Sequence, residues 1–325
     1  MLERLAAVAV AVPFVIGTMS ASAAGGNVVF RFQDPAIVEA SGLVVQRGLF
    51  VTTNDSGDTG RVFAVDPSDG RTVGVTSWPG EPEDVEALAP AGPDGVWVGD
   101  IGDNSKDRES VSVTRLPIAA AYDEVPGETY ELTYPGPPQD AESLLADPRS
   151  GRLLVASKGI LGGSLYAAPR QLSADGPNRM RELGDILAIA TDGAFFPDGR
   201  HLVLRNYGRA VVYSYPGLEE IGELDLPVQQ QGEAIAVADD GRVYITSEGV
   251  HAPVLEVDLP AAVRAEVSPE PTPSASSSPS KPPGSREGKE LPEEEPRGRE
   301  PWQWLLGTVL AVGAIAVLVR AIRPR

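Results

Sequence analysis

Glu39-Ala40-Ser41-Gly42-Leu43-Val44-Val45 opens a unit that returns four times, and its reading decides the fold. The later copies are Glu86-Ala87-Leu88-Ala89, Glu142-Ser143-Leu144-Leu145-Ala146, Asp192-Gly193-Ala194-Phe195-Phe196 and Glu233-Ala234-Ile235-Ala236-Val237. An acid followed by small and apolar residues begins each copy, and self-similarity at a near-fixed period marks a repeat architecture. A turn such as Asp94-Gly95, Asp198-Gly199 or Asp240-Gly241 leads to a second β-rich stretch, which is hairpin chemistry. Those second stretches cover 49–53, 96–98, 153–156, 202–204 and 243–246, and third ones follow at 62–65, 111–114, 164–167, 210–214 and 254–257. The opening acids lie 47, 56, 50 and 41 residues apart, against about 40–50 residues per blade in four-stranded propeller repeats. The spacing predicts an all-β fold: a single β-propeller of five blades over residues 25–262. The fifth copy holds only three strands, and Asn27-Val28-Val29-Phe30-Arg31-Phe32 is a strand ahead of the first. Letting that strand complete the last blade closes the ring and removes an exposed sheet edge. Six blades is the alternative, because the insert between Arg108 and Tyr134 has room for further strands.

Outward from the repeats, the two ends read as non-globular. Residues 1–24 combine Arg4, an apolar run over 5–17 and Ala21-Ser22-Ala23, the pattern of a signal peptide. An uncleaved anchor is the alternative, though the run is short for a span. Residues 263–301 are dominated from 268 onward by Pro, Ser, Glu, Lys, Arg and Gly, too poor in apolar surface to offset ordering entropy, and are expected to form a disordered linker. Over 302–319 the only polar side chains are Gln303 and Thr308, enough apolar length for one C-terminal transmembrane helix. Arg320, Arg323 and Arg325 form a basic tail over 320–325, and positive charge stays cytoplasmic. The expected location is thus the cell membrane, single-pass, with the propeller extracellular and the C-terminus cytoplasmic. Leu291-Pro292-Glu293-Glu294-Glu295 begins like a sortase signal but has Glu where Thr and Gly are required, so the helix is expected to be retained.

Composition removes several classes of function. The net charge is -19, and residues 25–262 hold 17 Lys and Arg against 37 Asp and Glu, which makes nucleic acid and anionic lipid poor partners. With no cysteine, disulfides, thiolate metal sites and Cys nucleophiles are excluded. Two histidines, His201 and His251, stand in no triad context, and no G-x-S-x-G or phosphate-binding glycine loop occurs, so no catalytic residue is assigned.

Chemistry is expected where the blades' first strands line the central channel. Glu39, Glu86, Glu142, Asp192 and Glu233 should converge at one end. At ~6 Å and an effective dielectric near 40, each neighbouring pair of charges costs about 1.4 kcal/mol, which favours a bound cation, protonation or hydrogen bonds from backbone N–H groups. Oxygen ligands without His or Cys suit Ca²⁺ rather than zinc; the alternative is that each acid caps the backbone of the adjacent blade. Two loops on the same face, Asn54-Asp55-Ser56-Gly57-Asp58 and Asp100-Ile101-Gly102-Asp103-Asn104, either wrap calcium, with Asp100, Asp103 and Asn104 as ligands, or are ordinary tight turns. The equivalent positions in later blades offer Ser157-Lys158, Arg205-Asn206 and Ser247-Glu248. Lys158, Arg205 and Glu248 would grip an anionic ligand on such a rim; inter-blade ion pairs are the alternative.

Gly232-Glu233-Ala234-Ile235-Ala236 with Thr246-Ser247-Glu248-Gly249, and Gly99-Asp100-Ile101-Gly102-Asp103-Asn104, carry a family resemblance. Residues 38–260 resemble the bacterial extracytoplasmic propellers described as TolB-like, WD40-like or "esterase-like activity of phytase". The resemblance implies a propeller with a calcium-supported site. Two functions compete: a monomeric, Ca²⁺-organised binding module for an extracellular protein, glycan or small anionic ligand, and a Ca²⁺-dependent phosphoesterase or esterase-like hydrolase using the acidic channel face. A structural spacer is a third reading.

Overall fold

Each repeat unit folds into one blade in the computed structural model, which describes residues 26–268 apart from 56, 119 and 120. Strand β1 (Gly26–Arg31) stands ahead of the first repeat. Blade I is the antiparallel run β2 (Ala40–Gln46), β3 (Leu49–Asn54), β4 (Arg61–Val65) and β5 (Thr72–Ser77). Blade II takes β6 (Val85–Pro90), β7 (Gly95–Asp100), β8 (Val111–Pro117) and, beyond β9 (Tyr122–Glu124), β10 (Glu128–Thr133). Blade III takes β11 (Ala141–Ala146), β12 (Leu153–Ser157), β13 (Gly163–Ala167) and, beyond β14 (Asn178–Arg179), β15 (Arg181–Ile186). Blade IV is β16 (Asp192–Phe195), β17 (His201–Arg205), β18 (Arg209–Ser214) and β19 (Glu220–Asp225). Blade V is β20 (Ile235–Val237), β21 (Val243–Ile245) and β22 (Pro253–Val257).

The ring closes as the sequence predicts. β1 pairs antiparallel with β22, from Gly26 opposite Val257 to Arg31 opposite Pro253, and so supplies the outer strand of blade V. The insert between Arg108 and Tyr134 builds no sixth blade. It completes blade II with β10 and widens blade I, because β9 pairs parallel with β5; β14 adds to blade II in the same way.

The core lies between blades rather than within one. Successive residues of a strand point to opposite faces, and here each face meets a neighbouring blade. Leu43 packs between blades V and I while Val44 packs between I and II. Leu144 serves the interface of II with III, and Leu145 that of III with IV. Burial on both faces is why the inner strands read as continuous apolar runs instead of alternating ones. Closure is reinforced by Phe30 and Tyr244, each edge-on to Phe50 at 5.0 Å between ring centres. Helix α1 (Ala261–Val267) spans the expected domain boundary and buries Val263 and Val267 against blades IV and V.

The expected leader, the Pro-rich linker from 269 onward, the 302–319 span and the basic tail lie outside the described residues. Among the described residues, no helix is long and apolar enough to cross a membrane.

Candidate functional site

Every inner strand starts at the same end of the channel, because each blade repeats the same up-and-down path. Glu39 precedes β2, Glu86 and Glu142 are the second residues of β6 and β11, Asp192 is the first of β16, and Glu233 lies just before β20. The connections β3–β4, β7–β8, β12–β13, β17–β18 and β21–β22 return to this end too. The five repeat acids nevertheless meet very different surroundings.

Between blades I and II, Asp55, Asp84 and Glu86 bring one carboxylate oxygen each to within 4.8 Å of one another. A β-bulge sets Glu86 there: Val85 pairs with Asp100 and Ala87 with Gly99, leaving Glu86 as the extra residue. Bulges re-aim side chains in this way. Glu142 is the extra residue of a like bulge in blade III, and Ser41-Gly42 opens the corresponding one in blade I. The Ser41 hydroxyl donates to the Glu86 carbonyl at 2.6 Å and approaches Glu86 Oε2 at 3.4 Å. Gly102 forms the floor: a Cβ there would lie 2.3 Å from Asp84 Oδ2 and 2.9 Å from Glu86 Oε1, so a side chain would push both carboxylates aside.

This crowding is electrostatically unfavourable without a cation. Burial, followed by the charges of Glu142, Asp55 and Asp84, pushes Glu86 up to about 10. Burial and the charges of Asp55 and Asp140 push Asp84 up to about 6. Burial pushes Glu142 to about 8 against the bond that its Oε1 accepts from Lys158 Nζ, and its Oε2 is buried without a hydrogen-bond partner. Burial disfavours the Lys158 ammonium, but the same bond to Glu142 outweighs it and holds the ammonium above its ordinary range. Lys158 also stands 5.8 Å from the centre of the Tyr207 ring, and Tyr207 bonds to Glu233, which burial raises against the pull of Lys158 and Arg205. On the outer side of the mouth, burial and the charges of Glu233 and Glu39 raise Glu248 to about 7.

Asp192 and Arg205 belong to the wall. Asp192, fully buried, accepts from Gly193 N at 2.7 Å and from Ile235 N at 2.8 Å, which ties blade IV to blade V. Burial raises its carboxyl well above the usual range despite those two bonds. This is the capping alternative. Arg205, expected to contact an anionic ligand, is 0% exposed. Its Nη1 donates to the carbonyls of Ala234 at 3.1 Å and Thr246 at 3.4 Å, and burial pulls its guanidinium down to about 10. β17 ends inside the ring, which places the Arg205 guanidinium against the carbonyls of blade V.

The two Asp/Asn/Gly loops divide likewise. Asp100 accepts from Glu83 N and Asp84 N and pairs with Arg108 Nη1 at 2.9 Å. Asp103 accepts from Asp107 N and Arg108 N, and Asn104 is exposed. Asp100 and Asp103 thus hold turns in this structure, the job such residues do in loops. Asn54 accepts from Val38 N and Glu39 N, and Asp58 pairs with Arg61, which leaves Asp55 to face the cluster. Both histidine rings have structural partners, Asp198 for His201 and the Phe32 carbonyl for His251.

Asp84 and Tyr207 escape the sequence reading. Asp84 had a signal: it is a second acid two residues before Glu86, at the head of the repeat. Asp140 precedes Glu142 in the same way. Nothing local marks Tyr207, whose partners come from other strands.

No protein-family model matches the chain, and no curated protein matches it in sequence. Among solved structures, a gluconolactonase from Xanthomonas campestris is similar at 13% identity over 71% of this chain and 89% of that one, with a TM-score of 0.43. A chain of a nidogen/laminin complex is similar at 13% identity over 65% and 73%, with a TM-score of 0.42. Likeness this distant carries no argument about activity, and the five-bladed propeller rests on the strand order above.

Proposed function

We propose that this chain is a binding propeller displayed outside the cell, with the acidic end of its channel organised by a divalent cation. The observation that carries the reading is the meeting of Asp55, Asp84 and Glu86 over Gly102. Calcium holds its oxygens at about 2.3–2.6 Å, so donors that share one ion lie within roughly 5 Å of each other, as these do. A set of carboxylates without His or Cys favours a hard cation, Ca²⁺ before Zn²⁺. Calcium takes about 6–8 oxygens, so three carboxylates leave positions for oxygens of an extracellular protein, glycan or small anionic ligand. An anion would thus be met by the cation rather than by Lys158 or Arg205. The resemblance of residues 38–260 to TolB-like and phytase-related propellers agrees with a calcium-supported site. Helix α1 moves the start of the expected tether from 263 to beyond 268, and display through that tether and a retained 302–319 span rests on the sequence pattern alone.

The hydrolase reading is weaker on geometry. Lys158 is bound to Glu142 and Arg205 lies inside the wall, so neither cation stands free to meet charge developing on a substrate.

Calorimetric titration of the full-length chain with CaCl₂ is the test. One ion should bind per chain, and Glu86→Gln should weaken it by at least about tenfold; equal affinity in that variant would remove the site. Protease treatment of intact cells should release the propeller if it faces outward.

A further inference from the structure

The exposed apolar side chains are distributed unevenly between the two ends of the channel. Apart from Val28 and Val29 on the edge strand β1, the large exposed apolar residues among those described are Val38, Ile160, Leu161, Tyr207, Val228 and Val250. All six sit on connections that return to the acidic end. Val38 precedes β2, Ile160 and Leu161 form the β12–β13 tip, Tyr207 lies between β17 and β18, Val228 before β20, and Val250 between β21 and β22. Leu161 is 102% exposed, Val228 90% and Ile160 80%. Turn residues dominate the loops of the opposite end.

These tips are held in place. The Gly159 carbonyl accepts from both Gly162 N and Ile189 N, which fixes the Ile160-Leu161 tip. Gly249 N donates to the Val38 carbonyl at 2.8 Å and Glu248 N to the Gln231 carbonyl at 3.1 Å, which ties the Val38, Val228 and Val250 loops together. Large apolar side chains left exposed at one end of a fold, among polar groups, point to an interaction surface there.

We infer that this rim docks a segment of a protein partner that presents a Lys or Arg side chain between apolar residues. Charge complementarity selects that occupant. Glu39 and Glu248 stand among the tips of Val38, Tyr207, Val228 and Val250, with the buried Glu233 behind them, and neither Glu39 nor Glu248 joins an ion pair among the described residues. A long cationic side chain lays its aliphatic stem along apolar surface and keeps its charged head among carboxylates, and the exposed Tyr207 ring offers a face for the cation. Tips drawn from blades III, IV and V and from the closing junction require a surface that spans the mouth, more than a small molecule provides. An anionic bilayer is opposed by the acidic centre of the rim. The inference rests on reading this face as a binding surface and not on the cation, whose carboxylates belong to blades I and II.

The test is selection of a phage-displayed random dodecapeptide library on the immobilised full-length chain, followed by anisotropy on synthetic copies of enriched peptides. Enriched peptides should carry Lys or Arg between apolar residues. Their affinity should fall at least about tenfold both in the combined Ile160→Ser, Leu161→Ser, Val250→Ser variant and in the combined Glu39→Gln, Glu248→Gln variant. No enrichment, peptides without a basic residue, or peptides that bind the variants as well as the parent would overturn the inference. So would adsorption to phosphatidylcholine/phosphatidylglycerol vesicles that the tip substitutions abolish, since a bilayer would then be the occupant. Calcium titration of the parent chain separates the two readings: absence of calcium binding with peptide binding intact counts against the cation site alone.

Discussion

Glu86 and Asp192 occupy the same place in the repeat and do opposite things. Asp192 starts a regular strand pairing, Asp192 opposite Arg205, and spends its carboxylate on two backbone N–H groups, one of them in the next blade. Glu86 sits on a bulge, is turned toward Asp84 and Asp55, and has the Ser41 hydroxyl 3.4 Å from its Oε2. One acid closes a seam; the other is held in a crowd of its own sign. A buried acid is thus a structural cap or a ligand site according to whether backbone donors or like charges surround it.

The contrast breaks most visibly at Asp192. Asp192→Ala orphans two buried N–H groups at about 1–3 kcal/mol each, so thermal unfolding should drop by roughly 10 °C; calorimetry should find calcium affinity unchanged. If the variant instead keeps its stability and loses calcium, the two acids have the reverse roles.

Lys158→Met should come next. It leaves Glu142 buried without its partner, costing roughly 2 kcal/mol at pH 9 and little at pH 5, where Glu142 carries its proton. Denaturant unfolding at the two pH values measures the difference.

Glu86→Gln should weaken calcium binding as stated above while leaving the cation-free protein at least as stable. Glu86, Glu142 and Asp84 are all raised by burial and like charge, to about 10, 8 and 6. The folded state therefore holds more protons than the unfolded chain above the ordinary carboxylate range, and the stability they contribute is complete at about pH 4 and lost as pH climbs towards 10. Without calcium the melting temperature should fall from pH 5 to pH 9, less steeply in Glu86→Gln, and calcium affinity should rise over the same range because the ion displaces protons. A melting temperature that climbs with pH would contradict the crowding. The smallest effect belongs to Asn104→Ala, exposed and not among the three carboxylates that meet, whose calcium affinity should stay within about twofold of the parent.

The blade period was legible because it is local, with turn residues and the acid signature lying within a few positions of each other, from Glu39-Ala40 to Glu233-Ala234; ring closure was legible by count, from a last repeat one strand short and a spare strand at 27–32. The six-blade alternative fell only when β9 and β10 were seen to join existing sheets. Lys158, Glu142 and Glu233 were legible as charged groups at one end, yet their pairing was not, since Lys158 bonds within its own blade while Arg205 reaches carbonyls 29 and 41 residues away.

The sequence alone determined that acids recur at the head of every inner strand, since that pattern follows from a period repeated along the chain. Which acid is satisfied by backbone and which is left facing others was decided by the tertiary structure. Asp55 comes from one blade and Asp84 and Glu86 from the next, and their oxygens meet only because a bulge turns Glu86 and Gly102 leaves room. Solvation and neighbouring charge belong to the assembled ring and not to any segment of it.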